Sequence, residues 1–186
     1  MLTIDVPDIE LFNNDTSEYI YLKAITLKFE NSLVSISKWE SKWHKPFPAY
    51  QAKNVAKANK IEFTSEDFID YIQCMCLTQN VDPLIFKNLP FECLNEIKKY
   101  IEDPMTATTF SKRDDKPSRK IVTSELVYFW MASNQIPFEA AKWHINRLLT
   151  LINICSVENA PKQKKSKGQV ANEYRALNAA RRKPKK

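Results

Sequence analysis

Charge is segregated along this chain, and that segregation limits how much of it can join one packed core. Residues Pro161 to Lys186 hold ten Lys or Arg against one acid, Glu173, which leaves 18 bases and 21 acids, a net −3, for Met1 to Ala160. The arm follows the most apolar stretches of the chain, Leu126 to Met131 and Trp143 to Cys155. A packed body is therefore expected to end before Pro161, with a solvated basic appendage beyond it. With 186 residues, 44% of them hydrophobic and 11% aromatic, the body can bury one substantial core. The organisation expected is one domain, residues 1–160, and a tail, residues 161–186.

Several functional classes are excluded at this level. Gly168 is the only glycine, and phosphate-cradling loops rely on glycine for positive φ and close backbone approach, so P-loop and Rossmann readings fall away. The opening MLTIDVPDIEL carries acids where a secretory leader needs bases, and no run approaches the ~18 apolar residues of a membrane span. Cys74, Cys76, Cys93 and Cys155 have neither zinc-knuckle spacing nor the density of a disulfide scaffold, which suits free thiols.

The hydrophobic pattern predicts an α+β fold, with a small N-terminal antiparallel sheet and a mainly helical body. Leu2, Ile4 and Val6 alternate with polar residues, as do Ile25, Leu27 and Phe29, and Asn13 to Asp15 suit a turn between two strands. Residues 1–36 are expected to be strand-rich and residues 37–160 mainly helical. Ser37-Lys38-Trp39-Glu40 fits a capping box for a short helix that runs to about Lys45, before Pro46 and Pro48, with Trp39 and Trp43 on one face. Ala49 to Lys60 reads as a loop or frayed helix. Thr64 or Ser65 caps a helix to about Leu77, burying Phe68, Ile72 and Met75.

Asp82-Pro83 opens a short helix, and Pro90 begins one that buries Phe91, Leu94, Ile97 and Ile101. Met105 to Phe110 is expected to be extended, and Ser111 to Lys120 to be a mobile loop. Thr123 or Ser124 caps the next helix, whose Leu126 to Met131 is apolar on every side. Such a helix is expected at the centre of the core, Trp130 included. Pro137 starts a final helix with Phe138, Ala141, Ile145, Leu148 and Ile152 on its apolar stripe, paired antiparallel with the one before. Within the tail, Ser166 to Arg182 has partly helical composition.

Candidate chemistry is thin. His144 falls between Ala140, Leu148 and Leu151 on the helical wheel, the place of a hydrogen-bonded core histidine. His44 would need the scattered cysteines to converge before it could hold a metal. Glu66, Asp67 and Asp70 lie where a helix start favours acids, and Cys74 has no base at a recognisable spacing. No catalytic residue, metal site or cofactor is expected. Lys162, Lys164, Lys165, Lys167, Arg175, Arg181, Arg182, Lys183, Lys185 and Lys186 form a basic arm suited to phosphates or an acidic protein face. Tyr174 is its one aromatic residue, so base stacking has little to use.

Five segments taken together, SLVSISKWESKWHKPF (Ser32 to Phe47), DPMTATTF (Asp103 to Phe110), IVTSELVYFWM (Ile121 to Met131), IPFEAAKWHINRLLTLI (Ile136 to Ile152) and RALNAARRK (Arg175 to Lys183), resemble the small tail assembly chaperones of long-tailed bacteriophages. The resemblance implies a non-catalytic protein of the host cytoplasm. It would bind the tape measure protein, a very long helix-rich chain with apolar faces, keep it soluble, and help load tail tube protein around it. The family often makes a longer companion product by ribosomal frameshifting, and with no second folded domain expected this chain looks like the short product or a single-form relative. On that reading Trp39, Trp43 and Phe47 are expected near the partner-binding surface, with the basic arm as a second contact. Two further readings are a structural tail or neck connector of the virion and an accessory protein that binds nucleic acid through the arm.

Overall fold

A computed structural model describes residues 1–13, 17–48, 64–109 and 120–159, together with 168, 171, 172, 174, 175 and 178. The fold is α+β. The chain divides into two compact units, Met1–Cys155 and Ser156–Lys186. The Ala49 to Lys60 stretch and residues 111–119 of the expected mobile loop lie outside the described residues.

The N-terminal sheet is a long two-stranded ribbon. Strand β1 (Leu2–Val6) pairs antiparallel with β4 (Ile25–Phe29), and β2 (Ile9–Asn13) with β3 (Glu18–Leu22). One register runs through both pairs, from Leu2 opposite Phe29 to Asn13 opposite Glu18. The inward positions change parity midway. Leu2, Ile4 and Val6 face inward on β1, but Ile9 and Leu11 do so on β2, and the partner strand makes the same shift at Lys23-Ala24. Pro7 supplies no N–H at this joint, and the Asp8 Oδ1 accepts the Ala24 N–H at 2.6 Å in place of a ladder bond.

Helix α1 (Leu33–Trp43) is the centre of the body, packed on α2 (Ser65–Met75), on α5 (Ser124–Ser133) and on a 3-10 helix (Phe138–Lys142). Its cap is Ser32, whose hydroxyl accepts the Ser35 N–H, and it stops at His44 in the left-handed region (φ 52°). The capping box expected at Ser37 does not form. Ser32 starts the helix one turn earlier, and the Glu40 side chain is drawn away to partners distant in sequence. Leu33, Ile36 and Trp39 are fully buried, each adding roughly 1.5–3 kcal/mol through removal of apolar surface from water.

Helix α2 has the expected cap, a reciprocal box between Thr64 and Asp67, but it buries Tyr71 beside Ile72 and Met75 and leaves Phe68 half-covered. Beyond it the chain runs alongside β4, where Leu77 N–H donates to Lys28 O at 2.8 Å and Glu30 N–H to Met75 O at 3.0 Å. Helices α3 (Pro83–Lys87) and α4 (Phe91–Glu102) follow their prolines as expected. The buried stripe of α4 is Cys93, Ile97 and Tyr100, however, and Phe91 is exposed, because the helix docks against β1 one step further round. Residues 105–109 form no strand, and the expected extended run is broken at Met105 and at Thr106. Met105 has φ 52°, and side chains of Asp103 and Thr106 hold turns by accepting the N–H groups of Met105 and Thr108.

The largest correction concerns α5. Only Ser124, Val127 and Met131 are buried, Leu126, Tyr128 and Trp130 are half-buried, and Phe129 is 63% exposed. The final helix is also broken. The 3-10 turn ends at Lys142, and α6 (Ile145–Glu158) starts afresh where Ile145 N–H donates to Asn31 O at 2.7 Å. Its 3-10 neighbour packs on α1 and α5, so no continuous α5/α6 pair forms, and Phe138 points outward.

The placement of α1 at the centre predicts a contrast in urea unfolding. Ile36→Ala is expected to cost about 2–5 kcal/mol, whereas Phe129→Ala is expected to stay within about 0.5 kcal/mol. Equal losses would contradict the assignment of centre and surface.

Candidate functional site

Two polar constructions inside the body orient its surface. In the first, the Glu40 carboxylate, buried on α1, accepts the Phe47 N–H through Oε1 at 2.8 Å and the Ser124 N–H through Oε2 at 2.7 Å. A carboxylate on the opening N–H groups of a helix is stabilised by the aligned peptide dipoles, so Glu40 pins the start of α5 to α1. The Thr123 hydroxyl caps the same end by accepting the Leu126 N–H at 3.4 Å. The Glu125 carboxyl is held below its ordinary pKa, first by its own backbone N–H and then by the Thr123 hydroxyl. The Ser124 hydroxyl is buried with no hydrogen-bond partner among the described residues.

In the second, the buried Asn31 gathers three helices. Its Oδ1 accepts the Tyr71 hydroxyl of α2 at 2.5 Å, its Nδ2 donates to Ile101 O of α4 at 3.4 Å, and its carbonyl accepts the Ile145 N–H of α6. His144 lies alongside. Its Nδ1 accepts the Asn146 N–H at 3.3 Å, which assigns the proton to Nε2, and Nε2 donates to Tyr100 O at 3.0 Å. In that tautomer the 3.3 Å approach of Asn31 Nδ2 to Nε2 is a contact of two donors. The Tyr100 hydroxyl donates to Glu30 Oε1 at 2.7 Å. Burial pushes the Tyr71 and Tyr100 hydroxyls up and the His144 imidazole down, so each favours its neutral form.

This cluster ties elements together and holds no activated nucleophile. Burial also raises the Cys74 thiol pKa, above the range of a reactive thiolate. Among the described residues no group of His, Cys, Asp and Glu is arranged to hold a metal ion, the four cysteines are free, and no helix is long and apolar enough to cross a membrane.

The outward side of the helix that Glu40 anchors carries Glu125, Phe129, Ala132 and Ser133. On α5, positions 124, 127 and 131 face α1, so Phe129 points away from the body. Tyr128 lies on one flank and meets Phe138 of the 3-10 helix with ring centroids 6.1 Å apart; Phe138 is 61% exposed. Trp143, also exposed, carries the Arg147 guanidinium 4.7 Å above its ring. Phe129, Phe138 and Trp143 are thus the large exposed aromatics on α5, on the 3-10 helix and at its end.

The residues singled out from sequence are not brought together there. Trp39 is fully buried, and its Nε1 donates to Asp67 O at 3.2 Å. Phe47 is buried edge-on to Trp39 at 5.3 Å and packs on Tyr71 at 4.3 Å. Both are core, which corrects their expected place at a partner surface. Trp43 is half-buried, with Lys42 and Lys45 ammonium groups each 5.5 Å from its ring centroid and its Nε1 without a partner among the described residues. Arg175 is exposed and helical, and Lys162, Lys164, Lys165, Lys167, Arg181 and Arg182 lie outside the described residues. Trp130 is half-buried against the core.

Sequence reasoning missed Phe129, Tyr128 and Phe138 as surface residues. The signal was present, since a helix apolar all round is also what results when one side meets the core and the other meets a partner. Comparisons with protein-family models, with curated proteins and with solved structures find no match to this chain.

The neutral, buried state of His144 makes stability depend on pH. Its folded pKa lies below the ordinary value, so the unfolded chain takes up the proton first, and stability falls as pH drops below about 6.5. Thermal midpoints measured between about pH 7.5 and pH 5 should therefore decline for the native sequence. The decline should be shallower for His144→Gln. An unchanged slope would assign the effect to other groups.

Proposed function

We propose that this protein is a non-catalytic assembly chaperone of a long-tailed bacteriophage, acting in the host cytoplasm to bind the tape measure protein and aid tail tube assembly. The observation that carries the reading is the outward side of α5, where Phe129 is exposed between Glu125 and Ala132, with the Tyr128/Phe138 pair beside it. A long helix-rich partner offers apolar stripes that would aggregate in water. An aromatic face on a rigid helix can cover such a stripe, burying area on both sides. The resemblance of five ordered segments to the small tail assembly chaperones supplies the identity of that partner. The basic arm supplies a second, charge-based contact.

Co-expression with the tape measure protein tests the reading. The native chain is expected to keep that partner in the soluble fraction, and Phe129→Asp with Phe138→Ser is expected to lower the soluble yield several-fold. Because both side chains face outward, the variant's circular dichroism and thermal midpoint should stay close to native. A folded variant that solubilises the partner fully would remove α5 from the binding surface.

A second reading, nucleic-acid binding through the arm, is favoured by its ten bases. It would be preferred if the chain held random duplex DNA at about 150 mM salt more tightly than the tail protein.

A further inference from the structure

The outer half of the N-terminal ribbon carries a second aromatic surface that the chaperone reading does not use. On β2 and β3 the positions facing away from the core are Glu10, Phe12, Tyr19 and Tyr21, in the cross-strand pairs Glu10/Tyr21 and Phe12/Tyr19. The three rings are 51%, 59% and 68% exposed. They form a short ladder, Phe12 to Tyr19 at 5.0 Å and Tyr19 to Tyr21 at 6.3 Å between centroids. The Glu10 carboxylate adjoins the Tyr21 hydroxyl and raises its pKa. Within the described residues β2 and β3 pair only with one another.

Charge separates this ribbon from the rest of the body. Residues 1–30 hold the acids Asp5, Asp8, Glu10, Asp15, Glu18 and Glu30 against Lys23 and Lys28, a net −4, whereas residues 31–160 hold 16 bases and 15 acids. All of the body's acidic excess is therefore on the ribbon. The arm carries ten bases and one acid. A tyrosine or phenylalanine face beside a carboxylate is matched to a guanidinium, which can stack flat on the ring while its N–H groups reach the acid.

We propose that the Glu10/Phe12/Tyr19/Tyr21 face of one copy docks the Arg-rich C-terminal segment, Arg175 to Arg182, of a second copy of this chain. Two copies use both surfaces at once: each ribbon receives the other's arm, a closed two-fold exchange that leaves neither charged surface unmatched. Arg175, exposed on its helical turn, and the adjacent Arg181 and Arg182 supply the guanidinium groups. The ribbon face is distinct from the α5 face of the tape measure reading, the arm is shared with it, and the test needs no phage partner.

Sedimentation of the full-length chain at low and high salt tests it. The native chain is expected to form dimers that weaken as salt rises from about 50 mM to about 500 mM. Phe12→Ala/Tyr19→Ala/Tyr21→Ala and, separately, Arg175→Gln/Arg181→Gln/Arg182→Gln should each weaken the dimer at least about tenfold while the circular dichroism stays native. Mixing the two variants should restore association in part, because the mixed dimer regains one of the two native ribbon–arm contacts. A native chain that is monomeric at all salts, a dimer unaffected by either variant, or association that appears only when duplex DNA is added would overturn the proposal.

Discussion

A single buried amide holds this body together. Asn31 follows the N-terminal ribbon and immediately precedes the capping residue of α1, so its backbone is fixed from both sides when its side chain reaches the helices. Through Oδ1, Nδ2 and its carbonyl it meets Tyr71, Ile101 and Ile145, on three helices far apart in sequence. An apolar residue in its place would leave the Tyr71 hydroxyl to find another partner in an interior closed to water. A satisfied polar cluster of this kind favours one arrangement of the surrounding helices over its competitors. The neutral His144 completes it by bridging the end of α4 to the start of α6.

Everything the outer surface does follows from how α1 is then laid down. With Leu33, Ile36 and Trp39 turned inward, Glu40 falls where it can hold the first N–H of α5. That contact sets the rotation of α5 about its own axis, buries Val127 and Met131, and turns Phe129 to solvent. The proposed binding face is thus a consequence of a carboxylate on a different helix. The Tyr128/Phe138 pair extends it onto a segment tied down by the same packing.

Features governed by neighbours in sequence are legible from the residues alone. The α+β class, the ribbon's inner strands, the Thr64 cap, the proline-led starts of α3 and α4 and the core position of His144 all rest on local patterns. Features governed by distant partners are not. Glu40 has the spacing of a capping-box residue because Ser37 stands three positions before it. Ser124, 84 residues away, makes the competing demand that the sequence does not display. Asn31 gives no signal at all, since its side-chain partners are 40 and 70 residues distant. Leu126 to Met131 has the pattern of a core helix because apolar content on every side does not say which side the core covers and which is left to solvent. The surface role expected for Trp39 and Phe47 rests on the chaperone resemblance, and the packing on Tyr71 that buries Phe47 is again long-range.

If α5 and the 3-10 helix form the face that meets the tape measure protein, binding must shield them from solvent. Hydrogen–deuterium exchange of the native chain, read peptide by peptide with and without that partner, tests this most directly. Added protection is predicted over Ser124–Ser133 and Phe138–Lys142, with the buried strands β1 and β4 unchanged. Protection confined to the arm, or none over α5, would contradict it.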